Sequence, residues 1–208
     1  MNDATKNSAH LEDSSLKELL QNFNYAPLDI LYKYAASLDT DDTMEILRAL
    51  AKQAQQKDEV DNRVQTWERE DIQPKRTRLV VQINNHTAHA FTANTSTIDL
   101  SASEQRFIDI RPWDFLTFKF DFIYSRGLGS RSKDIYRHFI KFGDNAVGFR
   151  LDVGLRVNSS FGVITPTLTP IRTHKVTSTG TTPVDCAARI TYVASEEPYS
   201  FTLELTLT

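Results

Sequence analysis

The stretch from Phe107 to Tyr124, Phe-Ile-Asp-Ile-Arg-Pro-Trp-Asp-Phe-Leu-Thr-Phe-Lys-Phe-Asp-Phe-Ile-Tyr, indicates the fold class. From Leu116 to Tyr124 every second residue is large and apolar or aromatic, and Thr117, Lys119 and Asp121 lie between them. This period of two is typical of a strand with one face in a hydrophobic core and one face in water. Each buried side chain of this size is worth about 1.5–3 kcal/mol. We therefore expect neighbouring strands to cover the apolar face.

Strand-like runs continue on both sides of this stretch, separated by Gly, Pro, Asn and Asp. Short strands at such regular spacing favour a β-sandwich or barrel over a sheet built from strand–helix–strand units. We predict an antiparallel β-sandwich over residues 76–208. Its predicted strands are 79–84, 89–92, 97–100, 107–110, 113–124, 135–142, 147–157, 161–168, 171–177, 187–194 and 199–207.

The first part of the chain has a different period. Apolar residues between Leu16 and Leu38, and again from Met44 to Ala54, recur at helical spacing, and the second series can be extended through Val60, Val64 and Trp67. The sequence therefore predicts about three helices in a segment of residues 14–72, after a disordered polar tail of residues 1–13. Pro74 ends the helical pattern. The predicted fold class is α+β, an N-terminal helical segment followed by the sandwich.

Composition restricts the function classes. The chain of 208 residues has 40% hydrophobic and 25% charged residues, a net charge of −3 and a pI of about 6.0. A nucleic-acid-binding protein that relies on bulk charge would be basic, so nucleic acid is an unlikely partner. Cys186 is the single cysteine and excludes an intramolecular disulfide. No signal peptide or transmembrane run is visible, so we expect a soluble protein synthesised in the cytoplasm, with its location otherwise open.

Catalytic signatures are missing from the sequence. It has no P-loop, no Gly-x-Gly-x-x-Gly and no Gly-x-Ser-x-Gly motif. His86 and His89 are three residues apart, which on a strand directs them to opposite faces, although a turn could bring them together. Cys186, with Asp185 beside it, begins a predicted strand and is interpreted as structural. We expect a protein that is not an enzyme and that carries no cofactor and no metal.

A basic stretch, residues 125–141, stands out in the sequence. It contains the loop between two predicted aromatic strands and continues to Lys141. This stretch contains five cationic residues and a single acidic one, Asp134. Its two glycines allow the backbone to expose amides that can hold an anion. Guanidinium groups bind phosphate bidentately, and aromatic residues can stack or lie at a membrane interface. Alternatively, these charges only keep a hairpin soluble and discourage edge pairing. The candidate anion-binding residues are Arg126, Arg131, Lys133, Tyr136, Arg137 and Lys141.

Two short stretches carry a family resemblance. Residues 78–87, Arg-Leu-Val-Val-Gln-Ile-Asn-Asn-His-Thr, resemble the opening strand and Asn-rich turn of small β-sandwich proteins of the aegerolysin type. Residues 142–149, Phe-Gly-Asp-Asn-Ala-Val-Gly-Phe, resemble the entry to a central strand in the same group. The resemblance to aegerolysins and actinoporin-like sandwiches covers residues 76–208 at most and implies membrane-lipid binding, alone or with a partner in pore formation. The chain departs from the group in its helical front and its 7 glycines, so no functional residue is carried over.

Of three functions from different classes, two follow from these patterns. The third, a hydrolase or transferase on a β-scaffold, has no set of nucleophile, base and orienting group in the sequence to support it. The first is a non-enzymatic, toxin-like binding protein whose basic loop recognises an anionic lipid or an acidic partner surface. The second is a self-assembling structural protein, such as a viral coat or an inclusion-forming protein, in which the helices act as an arm between subunits of a homo-oligomer.

Overall fold

The computed structural model describes residues 17–73, 76–98, 108–128, 138–161 and 166–208, with the backbone alone for 125–128, 161 and 166. The predicted disordered tail, residues 1–13, lies outside the described residues. The chain divides into two compact units, Met1–Asp61 and Asn62–Thr208. Each unit is described by itself below.

The first unit is helical. Residues 17–20 are helical, α1 spans Leu28–Ser37 and α2 spans Thr43–Arg69, so α2 continues past the end of the unit. Asp42 lies just before α2, and its carboxylate accepts a hydrogen bond from the backbone N–H of Met44 at 2.9 Å, which satisfies a free donor of the first turn. The apolar stripes of the helices pack into one small core formed by Leu20, Leu31, Ala35, Ile46 and Leu50.

In its described residues the second unit contains the end of α2 and ten strands. They are β1 Arg76–Asn85, β2 Phe91–Ser96, β3 Asp109–Ile110, β4 Phe115–Ile123, β5 Ser125–Leu128, β6 His138–Gly143, β7 Gly148–Phe161, β8 Pro166–Ser178, β9 Cys186–Val193 and β10 Phe201–Leu207. They form a four-stranded sheet in the order β4-β1-β10-β9 and a six-stranded sheet. In the latter, β7 pairs with β6 along its first half, with β5 along its second half and with β8 along nearly all its length.

The α+β class and the mainly antiparallel pairing are confirmed. Two pairings differ from an all-antiparallel arrangement, because β1 runs parallel to β10 and β5 runs parallel to β7. Parallel neighbours need long connections, and more than a hundred residues separate β1 from β10. The run predicted at 161–168 is divided, because Phe161 ends β7 and Pro166 begins β8. From Pro166 it is joined to the run predicted at 171–177, since β8 is continuous through Pro170. Pro170 is tolerated because β8 has only β7 as a partner in its sheet, among the described residues.

Both sheets contribute to one hydrophobic core. Phe118 of β4 and Phe142 of β6 come from different sheets and have ring centroids 6.4 Å apart, and Phe142 stacks on Phe149 of β7 at 4.6 Å. Of the alternating residues that the sequence predicts to be buried, Phe118, Phe120 and Phe122 of β4 and the following Tyr124 are buried, whereas Leu116 is only half-buried. Thr117, on the face predicted to lie in water, is buried as well. The period-two pattern therefore identified the core-facing side of β4 from Phe118 onward, but not at the start of the strand.

The turn between β6 and β7 fixes the register of these two strands. Gly143 adopts a φ of +80°, and a Cβ atom at this position would lie 2.2 Å from the carbonyl oxygen of Val147. The carboxylate of Asp144 accepts hydrogen bonds from the backbone N–H groups of Ala146 and Val147, at 2.7 and 2.9 Å. These bonds lower the pKa of Asp144. The turn thus needs glycine at one position and a charged carboxylate at the next.

Candidate functional site

The predicted anion-binding residues are only partly described. Arg131, Lys133, Tyr136 and Arg137 lie outside the described residues. Arg126 lies on β5, where its backbone pairs with Val157 of β7, and its side chain is not described. Lys141 is exposed on β6. Of the predicted anion-binding residues, Lys141 is therefore the one whose side chain is described.

Lys141 lies on the outer face of the six-stranded sheet. It pairs with Arg150 of β7, which in turn pairs with Thr177 of β8. Residues paired across strands share a face, and neighbouring strands are about 4.8 Å apart. The same face carries Asp152, which pairs with Lys175 of β8. The opposite face carries the buried residues Ile140, Phe142, Phe149, Leu151 and Val153.

Arg150 is held rigidly on this face. Its guanidinium carbon lies 3.9 Å from the centroid of the Phe139 ring, in cation–π geometry. Its Nε donates to both carboxylate oxygens of Asp152 at 2.9 Å, and its Nη2 donates to one of them at 2.6 Å. A fixed guanidinium presents its remaining N–H groups in one orientation and loses little side-chain entropy on binding an anion.

The outer face is a band of positive charge. Arg156 lies six residues beyond Arg150 on the same side of β7, a distance of about 20 Å along the strand. On β6, β7 and β8 the described outward charges are four cations and one carboxylate, a surplus of three positive charges. We call this set the basic face: Lys141, Arg150, Asp152, Arg156 and Lys175.

The basic face can bind an extended anionic surface better than a single small anion. Its cations are spread over three strands and about 20 Å, and uncharged Thr169, Thr173 and Thr177 share the same face on β8. The exposed Ile171 pairs with Arg156 and adds an apolar contact to the same face. Sequence reasoning missed Arg150, Arg156 and Lys175. The alternation of β7 could have grouped its two arginines, but the pairing with Lys141 and Lys175 has no local signal.

The other candidates from the sequence have structural surroundings. His86 is buried with its ring 5.8 Å from Phe115, whereas His89 is exposed. Burial, with a smaller effect from the Asp185 charge, raises the pKa of Cys186 to about 11, which keeps the thiol protonated at neutral pH. Within the part of the chain that the structure describes, no group of three or more His, Cys, Asp or Glu side chains is arranged to hold a metal ion.

Of the helical residues that the structure describes, none belongs to a helix with the length and apolar content required to cross a bilayer. Comparison of the sequence with protein-family models and with curated proteins found no match.

Proposed function

We propose that residues 76–208 form an antiparallel β-sandwich that binds anionic surfaces, membrane lipid in particular, and that does not catalyse a reaction. The observation that carries this proposal is the basic face, where Lys141 and Lys175 flank the fixed Arg150 on adjacent strands. The two sheets share one core, which supports the sandwich architecture. A polar contact also links the two sheets. Arg172 of β8, in the six-stranded sheet, donates to the carbonyls of Ala194 and Tyr199 in the β9–β10 connection of the four-stranded sheet.

The charge of the basic face sets the expected strength of binding. Each Lys or Arg near an anionic bilayer contributes about 1 kcal/mol, so a surplus of three charges contributes about 3 kcal/mol. That alone corresponds to a Kd weaker than about 1 mM. If Arg131, Lys133 and Arg137 approach the same membrane surface, a surplus of about six positive charges contributes about 6 kcal/mol of binding free energy. That corresponds to a Kd of tens of micromolar. We therefore expect reversible binding that requires both the basic face and the cations Arg131, Lys133 and Arg137.

The test is chromatography with light scattering, on the full chain, with and without vesicles. Vesicles of phosphatidylcholine alone are compared with vesicles containing about a third phosphatidylserine, at about 50 and 500 mM NaCl. The proposal predicts that protein elutes with the anionic vesicles at low salt and is released at high salt, because salt screens charges that lie in water. Equal binding to neutral vesicles, or no binding to either, contradicts the proposal. A discrete large assembly that ignores vesicles favours the self-assembling alternative.

A further inference from the structure

A groove of about 570 Å³ follows β4 in the second unit, and this site does not depend on the proposed lipid binding. Five consecutive residues of β4, 119–123, line the groove. Successive side chains of a strand point to opposite faces, so a groove that contacts five residues in a row must run along the edge of the strand. Among the described strands, β4 is the end strand of its sheet, and the edge that the groove follows is the one that β1 does not occupy.

The backbone groups that point into this edge follow from the pairing of β4 with β1. The N–H of Asn85 donates to the carbonyl of Asp114 at 2.9 Å, which makes Asn85 and Asp114 a hydrogen-bonded pair. Bonded and non-bonded pairs alternate along an antiparallel ladder. The even residues of β4 therefore bond to β1, and Thr117, Lys119, Asp121 and Ile123 direct their N–H and C=O groups outward.

We call this side of β4, where Lys119, Asp121 and Ile123 direct their backbone groups away from β1, the open edge. Its backbone groups can pair with another strand. The outward carbonyl of Asp121 is reached by Nη1 of Arg76 at 3.2 Å. Among the described residues, no strand and no side chain bonds to the outward N–H groups of Lys119, Asp121 and Ile123. Unpaired groups in this arrangement accept an extended peptide, which gains affinity from main-chain hydrogen bonds. A segment of five residues extends about 17 Å and matches the part of β4 that lines the groove.

The two walls of the groove differ in chemistry. Ile98 and His138 come from the six-stranded sheet, and the His138 ring lies 4.8 Å from that of Phe122. The other wall carries Arg76 and Lys119.

The cationic wall has one charge in excess. Arg78 bonds to Asp121 and Glu70, and Lys119 also pairs with Glu70. Among the described residues, no carboxylate forms an ion pair with Arg76. The guanidinium of Arg76 is therefore the excess positive charge of this wall. Because side chains of an added strand alternate between the walls, the groove fits a segment in which apolar and acidic residues alternate.

We propose that the open edge of β4 binds an extended peptide segment of a protein partner, with alternating apolar and acidic residues, as an additional strand of the four-stranded sheet. Main-chain bonds to Lys119, Asp121 and Ile123 provide the register. The charge of Arg76 selects acidic over basic segments.

Amide hydrogen exchange of the free protein, read by NMR, is the first test. The amides of residues 116, 118, 120 and 122 should exchange at least 100-fold more slowly than those of 119, 121 and 123. Protection of the odd-numbered amides in the free monomer would mean that the edge is already covered, and the proposal would be wrong.

Peptide binding is the second test. The probe is a fluorescent six-residue peptide of alternating valine and glutamate, titrated into the full chain and followed by fluorescence anisotropy. Binding should protect the amides of 119, 121 and 123, and should weaken at least tenfold for three changes: N-methylation of alternate peptide amides, lysine in place of glutamate, and Arg76→Glu in the protein.

Ile123 provides a matched pair of variants. Its side chain is 65% exposed, so substitution leaves the core intact. Ile123→Pro removes one outward N–H and should weaken binding of the probe at least tenfold, whereas Ile123→Val keeps the N–H and should bind within twofold of the unchanged protein. Equal affinity for the N-methylated probe, no saturable binding, or self-association through this edge would each overturn the proposal.

Discussion

Replacing Arg78 by methionine is expected to lower the free energy of unfolding by about 2–3 kcal/mol. The Arg78 side chain is 8% exposed, and its Nε and Nη2 donate to the two carboxylate oxygens of Asp121 at 2.8 and 3.0 Å. Its Nη1 donates to Glu70 at 2.9 Å and to the Trp67 carbonyl at 3.3 Å. Breaking a fully buried pair costs about 3–5 kcal/mol. We expect less here because water reaches the side chains of Asp121 and Glu70, which are 25% and 38% exposed.

Asp121 and Glu70 should contribute unequally to the stabilisation that Arg78 provides. Asp121 makes a bidentate, charge-assisted pair, and its hydrogen bonds are the main reason that the pKa of Arg78 is raised. Glu70 makes one bond and also pairs with Lys119. Double-mutant cycles with Asp121→Asn and Glu70→Gln should give coupling energies to Arg78 of about 1.5–3 kcal/mol and about 0.2–1 kcal/mol, respectively.

Urea unfolding at pH 7, followed by circular dichroism and tryptophan fluorescence, measures these energies. Arg189→Met is the control, because Arg189 pairs with Glu204 but its side chain is 74% exposed. It should change stability by less than about 0.5 kcal/mol. The reasoning fails if Arg78→Met lowers the free energy of unfolding no more than Arg189→Met does. It also fails if the coupling energy of Arg78 to Glu70 exceeds that of Arg78 to Asp121.

Three further experiments test the core, the β6–β7 turn and the half-buried thiol of Cys186. Phe142→Ala should cost about 3–5 kcal/mol because it removes a fully buried ring stacked on Phe149, and a thermal melt equal to that of Phe142→Leu would argue against the stack. Gly143→Ala should cost at least about 1–3 kcal/mol, since its φ of +80° and the close Val147 carbonyl leave no room for Cβ; a urea midpoint unchanged from the parent would refute this. With a pKa of about 11 against a reference near 9, Cys186 should react with iodoacetamide at pH 8 about 100-fold more slowly in the native state than in urea. Equal rates would show that the thiol is not buried.

Local patterns predicted the elements better than their partners. The alternation of Leu116 to Tyr124 identified β4, and from Phe118 onward its buried face, because a half-buried strand needs that period. From the sequence, the polar residues Lys57, Asp58 and Asp61 make the extension of the last helix through Trp67 optional. In the structure the helix continues to Arg69.

Pairing between distant strands has no local signal. The parallel pairing of β1 with β10 depends on contacts between residues more than a hundred positions apart. The candidate site shows the same limit. Lys141 was identified from a run of basic residues, whereas Arg150 and Lys175 reach the same face only through the register of three strands. A charge cluster built across a sheet cannot be read from spacing along one strand.

The central claim is that the basic face binds anionic membranes, and charge removal on that face tests it most directly. The measurement is the equilibrium partition of the full chain onto phosphatidylserine-containing vesicles by sedimentation, comparing the wild-type protein with Lys141→Gln/Lys175→Gln. Lys33→Gln/Lys52→Gln is the matched control, because it removes the same charge from exposed positions on the helices. The account predicts that the first variant binds about 30-fold more weakly, from about 1 kcal/mol for each lysine, and that the control binds like the wild type. Equal losses for both variants, or no loss for Lys141→Gln/Lys175→Gln, would contradict it.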